Sequence, residues 1–178
     1  MTPIGHAAVS VLAGQASRRL PLWALVLGGV LPDADYAFFP FDFFMSIHRV
    51  VTHNLAFAFG AALLAAGVAR REKGWAALAA FAGVVLHCLA DSVMDSNAAN
   101  GIGVALFWPF SGWMFSPFNL APEVGRLERL PDLWTMLQRS AWALKWEAPV
   151  WLLAGWLWFR RWKVPVSREG ETHARGMV

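Results

Sequence analysis

Histidine and aspartate residues form five small groups in a chain that is otherwise largely apolar. In one of them His87, Asp91 and Asp95 follow one another at intervals of four, which places them on one face of a helix. Imidazole nitrogens and carboxylate oxygens bind zinc-like ions, and ionisable groups within a membrane face the protein interior. The pattern predicts one or two divalent ions, zinc first, with manganese or iron as alternatives. The predicted ligands are His6, Asp33, Asp35, His48, His53, His87 and Asp91.

A second functional prediction concerns the loop that carries two of these histidines. His48 and His53 are five residues apart, too far for one helical face, and Thr52 is predicted to cap the helix that follows. Two histidines that flank a helix start favour ligation or acid–base chemistry. Arg49 could clamp a phosphate or carboxylate, or pair with a carboxylate of residues 33–35. His48, Arg49 and His53 are therefore the predicted catalytic residues.

Composition indicates a membrane protein. Hydrophobic residues make up 57% of the 178 residues and charged residues only 15%, against roughly 25% in an average soluble domain. The net charge is +3, but the basic residues come in short clusters between apolar runs rather than along one face. We therefore expect no nucleic-acid partner and predict an all-α, polytopic helix bundle in a lipid bilayer.

The elements that must position these residues are about five apolar helices, predicted at 4–16, 21–31, 54–69, 75–93 and 133–159. Residues 1–164 are predicted to form one domain, and 165–178 a polar, disordered tail. The first two segments hold only 11 to 13 residues, so buried or re-entrant helices remain alternatives to crossing. The aromatic-rich stretch 107–118 is predicted at the membrane interface, either as a lid or as an anchor.

Charge placement predicts the topology. If every segment crosses, the basic clusters at 18–19, 70–73 and 160–163 lie on one side, which the positive-inside rule makes cytoplasmic. The predicted ligands then all lie at the opposite ends of their helices. The sequence thus predicts a multi-pass inner (plasma) membrane protein with its metal site on the non-cytoplasmic face.

Two carboxylates have open roles at this stage. Glu147 is the only carboxylate in the last apolar segment, so it needs a partner and is either a further ligand or the mate of Lys145. Asp95 is either a ligand or a solvated residue at a helix end.

Five motifs follow one another within residues 1–120. They are Gly5-His6, Leu31-Pro32-Asp33-Ala34-Asp35, His48-Arg49 with Val51-Thr52-His53-Asn54, His87-Cys88-Leu89-Ala90-Asp91, and Phe107-Trp108-Pro109-Phe110. In this order they resemble the YdjM-type family of membrane-bound, metal-dependent hydrolases. The family pattern usually has glycine and serine where this chain has Val50-Val51 and Asn54, so we expect a looser turn between His48 and His53.

The resemblance implies metal-dependent hydrolysis but names no substrate. The leading hypothesis is an integral membrane hydrolase that acts on a phosphoester or related bond of a lipid or envelope substrate. The alternative is a metal-binding membrane protein without catalysis, either a transporter or a structural partner. A transporter would carry its His/Asp pairs at mid-span, whereas here they lie at helix ends, which favours a site at the surface.

Overall fold

The structure, a computed structural model, is all-helical in the residues it describes, 1–94, 102–120 and 133–163. No β-strand is present in these ranges, where the only β contact is an isolated bridge between Val104 and Phe115. The predicted all-α class is therefore confirmed. The helices are α1 (Pro3–Ala13), α2 (Leu22–Val30), α3 (Phe44–Ile47), α4 (Leu55–Val68), α5 (Lys73–Val93) and α6 (Leu133–Lys163), with a 3₁₀ helix (Leu31–Phe38) after α2.

Local sequence explains where the first helices begin and end. Thr2 caps α1 by accepting a hydrogen bond from the amide of Gly5, and proline occupies the first helical position, where no amide hydrogen is required. The α-helical part of the second segment ends at Val30, before Pro32. The chain then tightens into the 3₁₀ helix, a form that tolerates Pro32 in its first turn and carries the two aspartates.

Small residues form the core of the bundle, and large apolar residues lie on its outside. Helix α5 packs against both α2 and α4, and the buried residues between them are mainly alanines. On α4, by contrast, Leu63 is 75% exposed and Val68 is 66% exposed. Interfaces made of small residues let helices approach closely in a bilayer, where the hydrophobic effect does not drive helices together. Large apolar side chains are favourable where they face lipid. The distribution therefore suits a membrane-embedded protein.

Three glycines bring α2 and α5 into backbone contact. A Cβ on Gly28 would collide with the carbonyl of Ala80, and one on Gly83 would collide with the carbonyl of Leu25. Gly29 in turn packs against the Ser10 side chain of α1. These contacts draw the ends of α1, α2 and α5 together.

Within the described residues, only α5 is long and apolar enough to cross a membrane. An 18-residue window of this 21-residue helix has a mean hydropathy of 1.8. The helix spans about 31 Å at 1.5 Å per residue, close to the thickness of the hydrocarbon layer. The helices α1 and α4 are apolar but shorter. The all-helical architecture is thus established, whereas the five crossings remain a prediction.

The aromatic stretch is attached to the loop that carries His48 and His53. The amide of Leu55 donates to the carbonyl of Leu106, and the amide of Ala105 donates to the carbonyl of Arg49. Four of its large aromatic side chains are exposed, Phe110 by 93%, whereas Trp108 and Phe115 are half-buried. The segment therefore lies beside the site with an aromatic surface facing away from the protein, which is compatible with both a lid and an anchor.

Candidate metal centre

All seven predicted ligands are buried and lie at one end of the bundle. They come from four different parts of the fold: α1, the 3₁₀ helix, the loop between α3 and α4, and α5. Their candidate ligand atoms form two groups, and within each group every pair lies within 4.8 Å. The first group is His6, Asp33, His87 and Asp91, and the second is Asp35, His48 and His53.

The first group converges on the carboxylate of Asp91. The Nε2 atom of His6 lies 3.1 Å from Asp91 Oδ1, and the Nε2 atoms of His53 and His87 each lie 3.5 Å from Asp91 Oδ2. Asp33 faces the same three nitrogens at 3.8 to 4.0 Å. His53, a member of the second group, thus also faces the first: its Nε2 atom is directed at Asp33 and Asp91, and its Nδ1 atom at Asp35.

Hydrogen bonds fix the tautomers of two of these histidines. The Nδ1 atom of His87 lies 2.8 Å from the carbonyl of Gly29, which can only accept, so Nδ1 carries the proton. Thr52 has one hydroxyl hydrogen and donates it to Asp35 at 2.9 Å, so it must accept from His53 Nδ1, also at 2.9 Å. In the neutral form of both rings, which is the form that binds a metal, Nε2 therefore keeps its lone pair, and both lone pairs face Asp33 and Asp91.

Several buried polar atoms at this point have no hydrogen-bond partner. An unsatisfied buried polar group lowers the stability of a fold by about 1–3 kcal/mol. Five such atoms on four neighbouring side chains therefore require an explanation. His6 Nε2 is among them despite its short distance to Asp91, because the geometry is not that of a hydrogen bond. The unpartnered atoms are His6 Nδ1, His6 Nε2, Asp33 Oδ2, His53 Nε2 and His87 Nε2.

Four of these atoms, which are Asp33 Oδ2 and the three Nε2 atoms, fit a cation together with the Asp91 carboxylate in both kind and spacing. Two ligand atoms about 2.1 Å from one zinc ion are about 3.0 Å apart at a right angle and about 3.4 Å at the tetrahedral angle. The contacts to Asp91 span 3.1 to 3.5 Å, and those to Asp33 are slightly longer. Three imidazole nitrogens and two carboxylates could therefore hold a divalent ion with small side-chain movements.

The second group is already hydrogen-bonded. His48 Nδ1 lies 3.0 and 3.1 Å from the two oxygens of Asp35, and Thr52 donates to the same carboxylate. Asp35 therefore orients His48 directly and His53 through the Thr52 hydroxyl. With Nδ1 donated to Asp35, the basic atom of a neutral His48 is Nε2. Its side chain is 9% exposed, whereas those of His6, His53 and His87 are fully buried.

Burial and pairing shift the pKa values of Asp33, Asp35 and His53. Burial raises the pKa of Asp33 to about 6, since water no longer solvates its carboxylate. Burial alone would also raise the pKa of Asp35, but the hydrogen bond and charge of His48 bring it below its usual value. Burial lowers the pKa of His53 to about 4, which keeps this ring neutral, as a ligand must be.

The loop between His48 and His53 is organised differently from the sequence prediction. Asn54, not Thr52, caps α4: its side-chain oxygen accepts from the amide of Phe57. The Asn54 amide nitrogen also donates to the carbonyls of Val50 and Val51, so the turn is tied down rather than loose. The predicted cap was wrong because both residues are good caps, and only the position of Asp35 directs the Thr52 hydroxyl away from the helix.

Arg49, Glu147 and Asp95 were also singled out in the sequence, but they are not members of the two ligand groups that the described residues form. Arg49 adopts the left-handed backbone conformation at φ 65° beside His48. Its carbonyl accepts a hydrogen bond from the amide of Ala105, just before the aromatic stretch. Glu147 accepts two hydrogen bonds from Thr2 and is not among the clustered candidate ligands of the described residues. The Met1 amino group lies 2.7 Å from Asp91 Oδ1. Asp95 lies outside the described residues.

Two contributors to the site were not identified from the sequence. They are the carbonyl of Gly29 and the hydroxyl of Thr52, which set the tautomers of His87 and His53. A signal for the first was present: Gly83 precedes His87 by one helical turn, and the Gly28-Gly29 pair indicates a close helix contact. Nothing in the sequence indicated the second.

Comparison with known families identifies a family to which the chain is similar over most of its length. The family model described as YdjM inner membrane protein matches residues 1–164. Neither the curated proteins nor the solved structures that were compared include a match to the chain.

Proposed function

Since this chain belongs to the YdjM inner membrane protein family, we propose that it is an integral membrane, metal-dependent hydrolase. Its substrate is a lipid or a small molecule of the envelope, cleaved at a phosphoester or related bond. One observation carries the proposal: the Nε2 lone pairs of His53 and His87 converge, buried and unpartnered, on Asp33 and Asp91.

A single divalent ion in the first group accounts best for the hydrogen bonds. Asp33 Oδ2 and the Nε2 atoms of His6, His53 and His87 lack partners there, whereas Asp35 and His48 already satisfy one another. We therefore assign Asp35 to the support of the ligands rather than to a second ion. Zinc suits three imidazoles with carboxylates, and manganese or iron would accept the same set. The proposed ligands are His6, Asp33, His53, His87 and Asp91.

An ion held there would supply a Lewis acid that activates water and neutralises charge developing on a phosphoester. The chain supplies the rest. Asp35 holds His48 with Nε2 as the basic atom, so His48 can take a proton from the attacking water and return it to the leaving group. His48 is the most exposed of the four site histidines, which suits contact with a substrate. Arg49 follows it directly and is assigned to the substrate's negative charge.

A membrane substrate suits the surroundings of the site. The aromatic segment beside His48 presents exposed rings, including Phe110 and Trp113, and aromatic side chains favour the headgroup region of a bilayer. A lipid headgroup would reach His48 from that side. We further propose a multi-pass topology with the metal site on the non-cytoplasmic face, which the basic clusters at the other ends of the predicted helices support.

The burial of the proposed ligands is also compatible with a function other than hydrolysis. The side chains of the proposed ligands are at most 4% exposed, which would also suit a metal-binding membrane protein without catalysis, whether a transporter or a structural partner. The two functions share the ion but differ in whether His48 turns over a substrate.

One experiment tests both the metal and the reaction. Wild-type protein purified in detergent should contain one transition metal ion per chain, and His53→Ala and Asp91→Ala should lose most of it. His173→Ala is the matched control, because it removes the one histidine outside the five groups. Protein without stoichiometric metal would overturn the proposal.

Catalysis is then measured with chromogenic phosphoesters and phospholipid vesicles. We expect hydrolysis by wild type and loss of turnover in His48→Ala with the metal retained, because His48 is not among the proposed ligands. Full metal loading with no hydrolysis of any ester would favour the non-catalytic alternative.

A further inference from the structure

Glu147, the one acidic residue of α6, contacts the start of α1. In sequence it lies far from all of the proposed metal ligands. Glu147 is 1% exposed. It accepts a hydrogen bond from the amide of Thr2 at 2.7 Å and another from the Thr2 hydroxyl. Both carboxylate oxygens are therefore used by one residue 145 positions away in the sequence.

Thr2 passes this contact on to His6. Its hydroxyl accepts from the amide of Gly5 at 3.1 Å, and its carbonyl accepts from the amide of His6 at 3.0 Å. The Glu147 carboxylate thus fixes the residue whose side chain and carbonyl set the first turn of α1. The orientation of that turn decides where the imidazole of His6 lies.

Gly5 leaves the space for this carboxylate. A Cβ at position 5 would lie 2.5 Å from Glu147 Oε2, well inside van der Waals contact. The Gly5-His6 pair singled out in the sequence therefore has two separate roles: one residue gives room for Glu147, and the other faces Asp91 and Asp33.

Helix α6 packs mainly against α1. This contact therefore joins the last helix to the ligand-bearing end of the bundle. We propose that Glu147 is a positioning residue for the metal centre, holding α1 through Thr2 so that His6 reaches the ion. The proposal rests on the proposed metal-dependent function, but its structural half can be tested without metal.

The first test measures zinc affinity by competition with a chelator. Glu147→Leu should weaken binding about tenfold or more, as loss of an outer partner of a ligand commonly does. Glu147→Gln keeps a carbonyl for the Thr2 amide and should recover most of that loss. Were Glu147 itself a ligand, the glutamine variant would bind as weakly as the leucine variant. Lys145→Ala, an exposed change on the same helix, is the control and should bind like wild type.

A double-mutant comparison separates positioning from general destabilisation. In a His6→Ala background, Glu147→Leu should produce no further loss of zinc affinity, because its effect passes through His6. Gly5→Ala provides a second variant that keeps the carboxylate and displaces α1 sterically; its loss should likewise vanish in that background. Equal losses with and without His6 would overturn the proposal.

The metal-free readout is hydrogen exchange of the amides in α1. Glu147→Leu should speed exchange in residues 3–13 and leave α4 unchanged. If wild type binds no metal but this change is observed, the proposed function fails while the Glu147 contact stands. Unchanged exchange in α1 would refute the positioning role whatever the metal content.

Discussion

The contact between α2 and α5 predicts that Gly83→Ala weakens metal binding, although Gly83 is not a ligand. An added Cβ would lie 2.7 Å from the amide nitrogen of Gly29, whereas ordinary contacts begin at 3.4 Å. The Leu25 carbonyl oxygen lies closer still, so the helices must separate by more than about 0.7 Å. A separation of that size along the 2.8 Å bond from His87 Nδ1 to the Gly29 carbonyl lengthens it beyond about 3.5 Å, the outer limit of a hydrogen bond.

The expected cost follows from that lost bond. Removing the outer partner of a metal-bound histidine commonly lowers affinity 10- to 100-fold, and overpacking destabilises by about 1–3 kcal/mol. Gly83→Ala should therefore bind zinc at least about tenfold more weakly and unfold at a lower temperature. Chelator competition and thermal unfolding in the same detergent measure the two effects.

The matched control is Gly60→Ala on α4, where a Cβ would meet nothing within 4 Å. There alanine only improves helix propensity, so stability should stay level or rise by up to about 1 kcal/mol, with zinc affinity unchanged. A folded Gly83→Ala protein with wild-type affinity would refute the reasoning, because His87 would then be placed without the close α2–α5 contact.

Three further predictions concern Thr52, Asn54 and Asp33. Thr52→Val keeps the shape of the side chain but removes the hydroxyl between Asp35 and His53, so zinc affinity should fall roughly tenfold, while Thr52→Ser should restore it; wild-type affinity in the valine variant would contradict the assigned tautomer. Asn54→Ala removes the cap of α4 and should lower the free energy of unfolding by about 1 kcal/mol, as measured by denaturant titration in mild detergent; an unchanged value would mean that the cap adds nothing. Burial raises the pKa of Asp33 to about 6, so its contribution to the stability of the metal-free protein is present at low pH and lost as the pH rises through 6. Zinc binds the ionised form, so equilibrium dialysis should show weaker binding at pH 5 than at pH 7, and equal binding would exclude Asp33 as a ligand.

Much of the fold was predictable from local signals. The apolar segments ended at basic clusters or at proline, and the helices lie close to the predicted ranges. The 3₁₀ helix was not predicted, because a short polar stretch such as residues 31–38 has no apolar periodicity to mark it. How many helices cross a membrane also does not follow from segment length, since α1 and α4 are shorter than the hydrocarbon is thick.

The partners of individual side chains were less predictable. Glu147 was expected to bind metal or pair with Lys145, since both partners are suggested by local sequence. Its actual partner is Thr2, and a contact between residues 145 positions apart depends on how α6 packs against α1. The same reason explains why the role of the Thr52 hydroxyl was missed.

The sequence by itself determined the kinds of residue available to the site and the ends of the helices at which they occur. Residue chemistry and helical spacing are local properties, and they suffice to place imidazoles and carboxylates at helix ends. Only the tertiary structure decided which nitrogens face Asp91 and which carboxylate instead supports them. Those choices depend on hydrogen bonds between distant segments, such as His87 to Gly29, that form only when close glycine contacts bring the helices together.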